Sequence, residues 1–253
     1  MLVPYNDLDS VTQCFQAHGD NIAALIIEPI AGNMGCVLPK PDYLAGLRSL
    51  CDQYGVLLIF DEVMTGFRVA PGGAQVRYQV QPDLTTLGKI IGGGLPVGAV
   101  GGRRSLMEHL APIGQVYQAG TLSGGPLTVA AGLATLEQLT CPSFYDQLEQ
   151  QRQRLTQGIE RLGKKYDIPV FTTGSAGMFG LFFSASPVHN FTQATACNQA
   201  HFAHFQKSLW QQGIYWPPSP YEAAFLSSTH SNEIIDQTLS AIEHAFKTLM
   251  ITC

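Results

Sequence analysis

The chain has 253 residues, 45% hydrophobic and only 13% charged, with 26 glycines and a formal net charge of -5. Such a chain can bury a sizeable core, which excludes disorder and coiled coil, and its acidic balance disfavours nucleic acid and anionic membrane surfaces. No apolar run reaches the roughly 18 residues of a spanning helix, and the opening MLVPYNDLDS is neither a signal nor a transit peptide. The six cysteines include no C-x-x-C pair and read as reduced thiols, the pattern of a cytoplasmic protein.

In chain order, IAALIIEPI (22–30) is a short β-branched apolar run that predicts a strand buried on both faces. PDYLAGLRSLCDQYG follows, with Pro41 suited to a first helical turn, apolar residues at helical spacing, and Gly55 as a stop. VLLIFDEV (56–63) predicts a second buried strand that ends in Asp61 and Glu62. Strand, helix, strand is a βαβ unit, so the sheet is expected to be mainly parallel, with ligands at the carboxyl ends of its strands. DLTTLGK (83–89) predicts a strand carrying Lys89, GAVGG (98–102) another, and 126–139 a helix. Beyond residue 142 the pattern changes to longer helices at 143–166, 191–212 and 232–250, between short strands at MFGLFFS and AAFLSS. The expected division is therefore an α/β domain over 1–142 and a smaller α+β domain over 143–253.

The stretch LGKIIGGGLPVG sets one lysine against a glycine run. A nucleotide phosphate loop needs glycines before the lysine and a hydroxyl after it, whereas here the glycines follow and Ile90 comes next. The dinucleotide pattern fails as well, because Val97 stands where its last glycine belongs. A lysine that attacks a carbonyl must be neutral, and burial among apolar groups favours that form. Lys89 is accordingly expected to be buried, with the glycines admitting a planar cofactor close to the backbone. If that cofactor is pyridoxal phosphate, an acidic group is needed to keep its ring nitrogen protonated, and Asp61 is placed for it. The plain alternative is a helix-start lysine and an N-cap aspartate.

Four segments carry a resemblance: LIIEPIAGNMGCVLPKPDYL, LLIFDEVMTGFRVAPGGAQ, PDLTTLGKIIGGGLPVGAVGGRR and VYQAGTLSGGPLTVAAGLATLEQL. Together they resemble the class-III aminotransferases over nearly the whole chain. Within that family AGNMG, DEVMTGFR and YQAGTLSG, beside the further distinctive piece SPYEAAFLS, are similar to the aminomutase branch, with the first three in its form; that branch converts glutamate-1-semialdehyde to 5-aminolevulinate for tetrapyrrole synthesis. The resemblance implies a fold-type-I transferase dependent on pyridoxal 5′-phosphate, acting as a homodimer. It implies that Lys89 forms the Schiff base and shuttles a proton, that Asp61 pairs with the ring nitrogen, and that Val63 packs on the ring face. It further implies that Asn33 bonds the ring's phenolic oxygen, that Thr121 reaches the cofactor phosphate of the neighbouring subunit, and that Glu222 lines the substrate pocket. No metal is implied.

Each residue also has a plainer role. Val63 suits a core, Asn33 a turn, Thr121 a helix cap and Glu222 a solvated loop. Cys197, His201 and His204 share a helix face at ligand spacing, which a polar helix face explains equally well. Arg103 and Arg104 read as the surface start of a helix, and Cys36 has no histidine near it in sequence. The family's chains are longer, with a segment ahead of the equivalent of Pro4 that carries the main phosphate loop, a ring-stacking aromatic residue and part of the substrate pocket. An ω-aminotransferase, or an inactive fragment holding only the lysine half of the site, therefore stays open beside the aminomutase.

Overall fold

The computed structural model describes residues 1–252. They form two compact units, one made of residues 1–29 and 40–142, the other of residues 30–39 and 143 onward.

In the first unit, α1 (Leu8–His18) starts at Asp7, whose carboxylate accepts from the Ser10 amide at 2.9 Å and the Ser10 hydroxyl at 2.7 Å. These bonds hold the Asp7 carboxyl below the usual aspartate range. After β1 (Ala24–Ile27), α2 (Tyr43–Tyr54) closes on Gly55, which takes the left-handed conformation that ends helices. β2 (Leu57–Asp61) is followed by the short α3 (Gly73–Tyr78), then β3 (Leu84–Gly88) and β4 (Gly98–Gly102). The helices α4 (Arg104–Met107) and α5 (Pro126–Leu139) complete the unit. The sheet order is β1-β2-β3-β4, with the first three parallel and β4 antiparallel to β3. The parallel βαβ unit expected from the pattern is therefore present.

Burial on both faces is not. Leu58 and Phe60 are fully buried and alternate with half-buried Leu57, Ile59 and Asp61, while Ile26 on the edge strand β1 is 62% exposed. A run of apolar residues does not reveal how many faces are covered. Here α2 packs on β2 from one side, and the alternation follows from that single layer.

The strands are tied together by Asp83, which is 3% exposed. Its Oδ2 accepts from the Leu58 amide at 2.6 Å and from Arg48 Nη1 on α2 at 2.9 Å. Its Oδ1 pairs with Arg103, the residue just before α4. One carboxylate thus joins α2, β2, β3 and the exit from β4, which gives Arg103 a structural task at its helix start.

The second unit contains α6 (Phe144–Lys165), β5 (Phe171–Ser175), β6 (Met178–Phe182), α7 (Phe191–Thr195), α8 (Gln199–Gln211), β7 (Ala224–Phe225) and α9 (Asn232–Thr252). The strands form an antiparallel sheet in the order β5-β6-β7. Its core joins Ile159, Phe179, Phe205, Trp216, Ile242 and Phe246, with Phe205 and Trp216 meeting edge to face at 5.3 Å. The helix expected over 191–212 is two helices. Asn198 accepts from the His201 amide at 2.9 Å and caps a fresh start, an interruption that the apolar spacing conceals. Among the described residues no helix is long and apolar enough to cross a membrane.

Removing the Asp83 carboxylate leaves the buried Leu58 amide without its acceptor and takes from Arg48 one of its two ion pairs, leaving the one to exposed Asp52. Asp83→Ala is expected to lower stability by about 3 kcal/mol in urea denaturation, while Arg103→Ala, whose side chain is 56% exposed, should cost about 1 kcal/mol or less. Equal effects of the two would show that Asp83 is not the hub.

Candidate active site

β2 and β3 run parallel with Asp61 registered against Thr86, and the ladder continues one step further as the Glu62 amide donates to the Thr86 carbonyl at 3.0 Å. Alternation then sends the two adjacent carboxylates to opposite faces. Glu62, 1% exposed, turns to the buried side, where it accepts from Thr65 Oγ1 at 3.0 Å, the Ala74 amide at 2.6 Å, and the Gln75 amide and Nε2 each at 3.1 Å. It therefore anchors the start of α3, where free amides and the helix dipole favour a negative charge. Gly73 has φ +69°, and a Cβ there would collide with Glu62 Oε2. Sequence reasoning noted Glu62 only as a strand-end carboxylate. Its role shows in the glycine pair of APGGAQ, which marks a tight backbone approach.

Asp61 faces the other way and is half-buried. Its Oδ1 accepts from the Val63 amide at 3.1 Å and from Thr86 Oγ1 at 3.2 Å. Val63 lies against Gly88, where a Cβ would stand 3.2 Å from Val63 Cγ1. Lys89 follows directly, three residues beyond the register partner of Asp61. Its φ of +49° is left-handed, a conformation that costs a non-glycine residue on the order of 1 kcal/mol and recurs at functional positions. Asp61, Val63 and Lys89 are thus brought together at the carboxyl ends of two adjacent parallel strands.

One expectation about Lys89 does not hold. Its side chain is exposed rather than buried. It lines an open groove of about 680 Å³ with Arg68, Ile90, Leu95, Val97 and Thr135. The glycine run also does more than clear space for a ligand. A Cβ at Gly93 would strike the carbonyl of Ala131, and one at Gly132 would strike that of Ile91, so the loop and α5 touch backbone to backbone. Those glycines dock a helix.

Thr121 is exposed in the turn before α5 and does not cap it; Gly125 occupies that position, without a side-chain bond. Asn33 and Glu222 both belong to the second unit and are both exposed. Their loops are neighbours, since the Gly35 amide donates to the Tyr221 carbonyl at 2.9 Å.

Cys197, His201 and His204 do not converge. Cys197 bonds the Gln193 carbonyl, His204 meets Thr248 at 3.0 Å, and His201 packs edge-on to Phe183. Among the described residues no cluster of three or more His, Cys, Asp or Glu side chains is disposed to hold a metal. Burial pushes the Cys36 thiol up to about 12, which keeps it protonated and unreactive.

Glu62→Ala should lower stability by about 3 kcal/mol and speed hydrogen exchange at the Ala74 and Gln75 amides specifically. Unchanged protection at those two amides would contradict the anchoring role.

Residues 3–246 match the family model described as aminotransferase class-III. An ω-transaminase from Sphaerobacter thermophilus is 32% identical and superposes with a TM-score of 0.91, covering 97% of this chain and 56% of that one. A β-phenylalanine aminotransferase from Variovorax paradoxus is also 32% identical, with a TM-score of 0.88 over 99% of this chain and 58% of that one. A glutamate-1-semialdehyde aminomutase from Pseudomonas aeruginosa PAO1 is 27% identical, with a TM-score of 0.86 over 98% and 56%. A variant of that aminomutase has been solved in complex with PMP. The chain spans a little over half the length of each of these structures.

Proposed function

The chain belongs to the class-III aminotransferases and has their fold-type-I α/β architecture, and from that premise we propose that it carries the lysine-bearing part of a pyridoxal 5′-phosphate site for amino-group transfer. The observation that carries this reading is the placement of Asp61 at the end of β2 and of Lys89 just past the end of the adjacent parallel strand β3. The residue types fit the group: Lys89 offers an exposed amine in an open groove, and Asp61, at the end of the adjacent strand, offers a carboxylate whose Oδ2 has no hydrogen-bond partner among the described residues. When bound, pyridoxal phosphate supplies an aldehyde for amine exchange and an electron-withdrawing ring.

Lys89 would hold the aldehyde and move a proton at the substrate carbon. Asp61 would keep a proton on the ring nitrogen through Oδ2. Val63, packed on Gly88 beside Lys89, would offer an apolar surface to the ring face. Asn33 would bond the phenolic oxygen, and Glu222, on the neighbouring loop, would line the substrate pocket. Thr121 would serve the phosphate of a second copy. The exposed apolar side chains Ile113, Val116, Tyr117 and Leu122 around it support burial against such a copy.

For substrate, we favour intramolecular amino transfer that converts glutamate-1-semialdehyde to 5-aminolevulinate, which the segments AGNMG, DEVMTGFR and YQAGTLSG support. The ω-transaminase at 32% identity supports a second reading, an ω-aminotransferase. The two readings differ in one requirement. Turnover of glutamate-1-semialdehyde without an added amino acceptor identifies the aminomutase, and strict dependence on a keto-acid acceptor identifies the transaminase.

Borohydride reduction with pyridoxal phosphate is expected to leave a pyridoxyl group on Lys89, found by peptide mapping, and Lys89→Ala should abolish it. Labelling of a different lysine in place of Lys89 would refute the assignment. Asp61→Asn keeps the shape and loses the charge, and should slow turnover by roughly two to four powers of ten. Near-normal turnover in that variant would remove Asp61 from the site.

A further inference from the structure

We infer that Thr86 is the positioning residue for Asp61, an inference that rests on the pyridoxal-phosphate reading above. The Asp61 carboxylate makes two hydrogen bonds, and both go to the same oxygen. The Val63 amide donates to Oδ1 at 3.1 Å and the Thr86 hydroxyl donates to it at 3.2 Å. Oδ2 has no hydrogen-bond partner among the described residues. A carboxylate is planar, so two donors on one oxygen fix where the other points. That leaves Oδ2 as a single, directed acceptor, the disposition needed to meet one cationic N–H.

The hydroxyl is itself rigidly held. Thr86 pairs with Asp61 across β2 and β3 and with Val100 across β3 and β4, so its backbone is fixed from both sides. Its carbonyl accepts from the Glu62 amide at 3.0 Å. A β-branched side chain in a strand has few χ1 choices, which passes the rigidity of the sheet on to the hydroxyl. The preceding residue shows that the placement is specific to one face. Thr85 Oγ1 lies 3.4 Å from Gln75 Nε2, among the groups that bind Glu62. The threonine pair of DLTTLGK is thus divided, one hydroxyl toward each strand-end carboxylate.

A valine at position 86 would keep the shape and delete the donor. Asp61 would then be held by the Val63 amide alone, and Oδ2 would lose its fixed direction. A hydrogen bond to a charged group at the low end of its usual strength corresponds to about a ten-fold change in an equilibrium.

The test uses the 253-residue chain with pyridoxal phosphate labelled with ¹⁵N at the ring nitrogen. Two quantities are read: the cofactor concentration that half-saturates borohydride-trapped label on Lys89, and the ring-nitrogen NMR shift, which reports protonation. Thr86→Val should raise the first by about ten-fold and move the second part of the way toward the deprotonated value. Thr86→Ser should restore both, a rescue that a purely structural role would not produce. Thr85→Val should alter neither. If Thr86→Val does not fold, Thr86→Ala carries the same comparison, judged against Thr86→Ser. A donor-less Thr86 variant that matches wild type while Asp61→Asn moves the nitrogen shift overturns this inference and leaves the pyridoxal-phosphate reading standing. An unmoved shift in Asp61→Asn, or label absent from Lys89, overturns that reading and this inference with it.

Discussion

The buried carboxylate of Glu62 ends β2 and begins α3 in one step. Desolvating a carboxylate costs several kcal/mol unless donors surround it, and here four hydrogen bonds from Thr65, Ala74 and Gln75 do so. Its amide stays on the β3 ladder while its side chain is drawn to the covered face. Asp61, one residue earlier, is thereby committed to the opposite face. If Glu62 were free to turn, neither the end of β2 nor the direction of Asp61 would be defined.

The same economy runs through the first unit. Asp83 does for the start of β3 what Glu62 does for the end of β2, satisfying an amide of the neighbouring strand and two arginines at once. The glycine loop after Lys89 is held by backbone contact with α5 at Gly93 and Gly132. Lys89 therefore sits between two fixed elements, β3 behind it and the docked loop ahead. That confinement accounts for the persistence of its left-handed φ, since strained backbone survives only where its surroundings over-determine it. The side chain beyond stays open to its groove.

Much of this was legible in the linear pattern. The βαβ unit, the strand-end positions of Asp61 and Lys89, and the helix over Pro126–Leu139 follow from period, from Pro and Gly placement and from β-branched runs. The class-III resemblance reached the family directly. Other features were hidden for definable reasons. Helix α1 was missed although Asp7 stands as its cap and Leu8, Val11 and Phe15 recur at helical spacing, because only Val11 and Phe15 of this short segment are buried. The break between α7 and α8 depends on the Asn198 side chain turning to an amide, which periodicity does not record.

The order of residues by itself determined which chemical groups arrive at strand ends, because alternation and strand length are local properties of the backbone. It settled that a lysine, an aspartate and a glycine run lie near one another. Only the tertiary structure decided which carboxylate is buried and structural and which stays half-buried on the other face, since DE reads as a pair until the donors around each are known. Burial of Lys89, and of the sheet face beside it, was likewise beyond the linear pattern. Whether a strand face is covered depends on where helices far along the chain are laid, and no residue in LGKIIGGG encodes that.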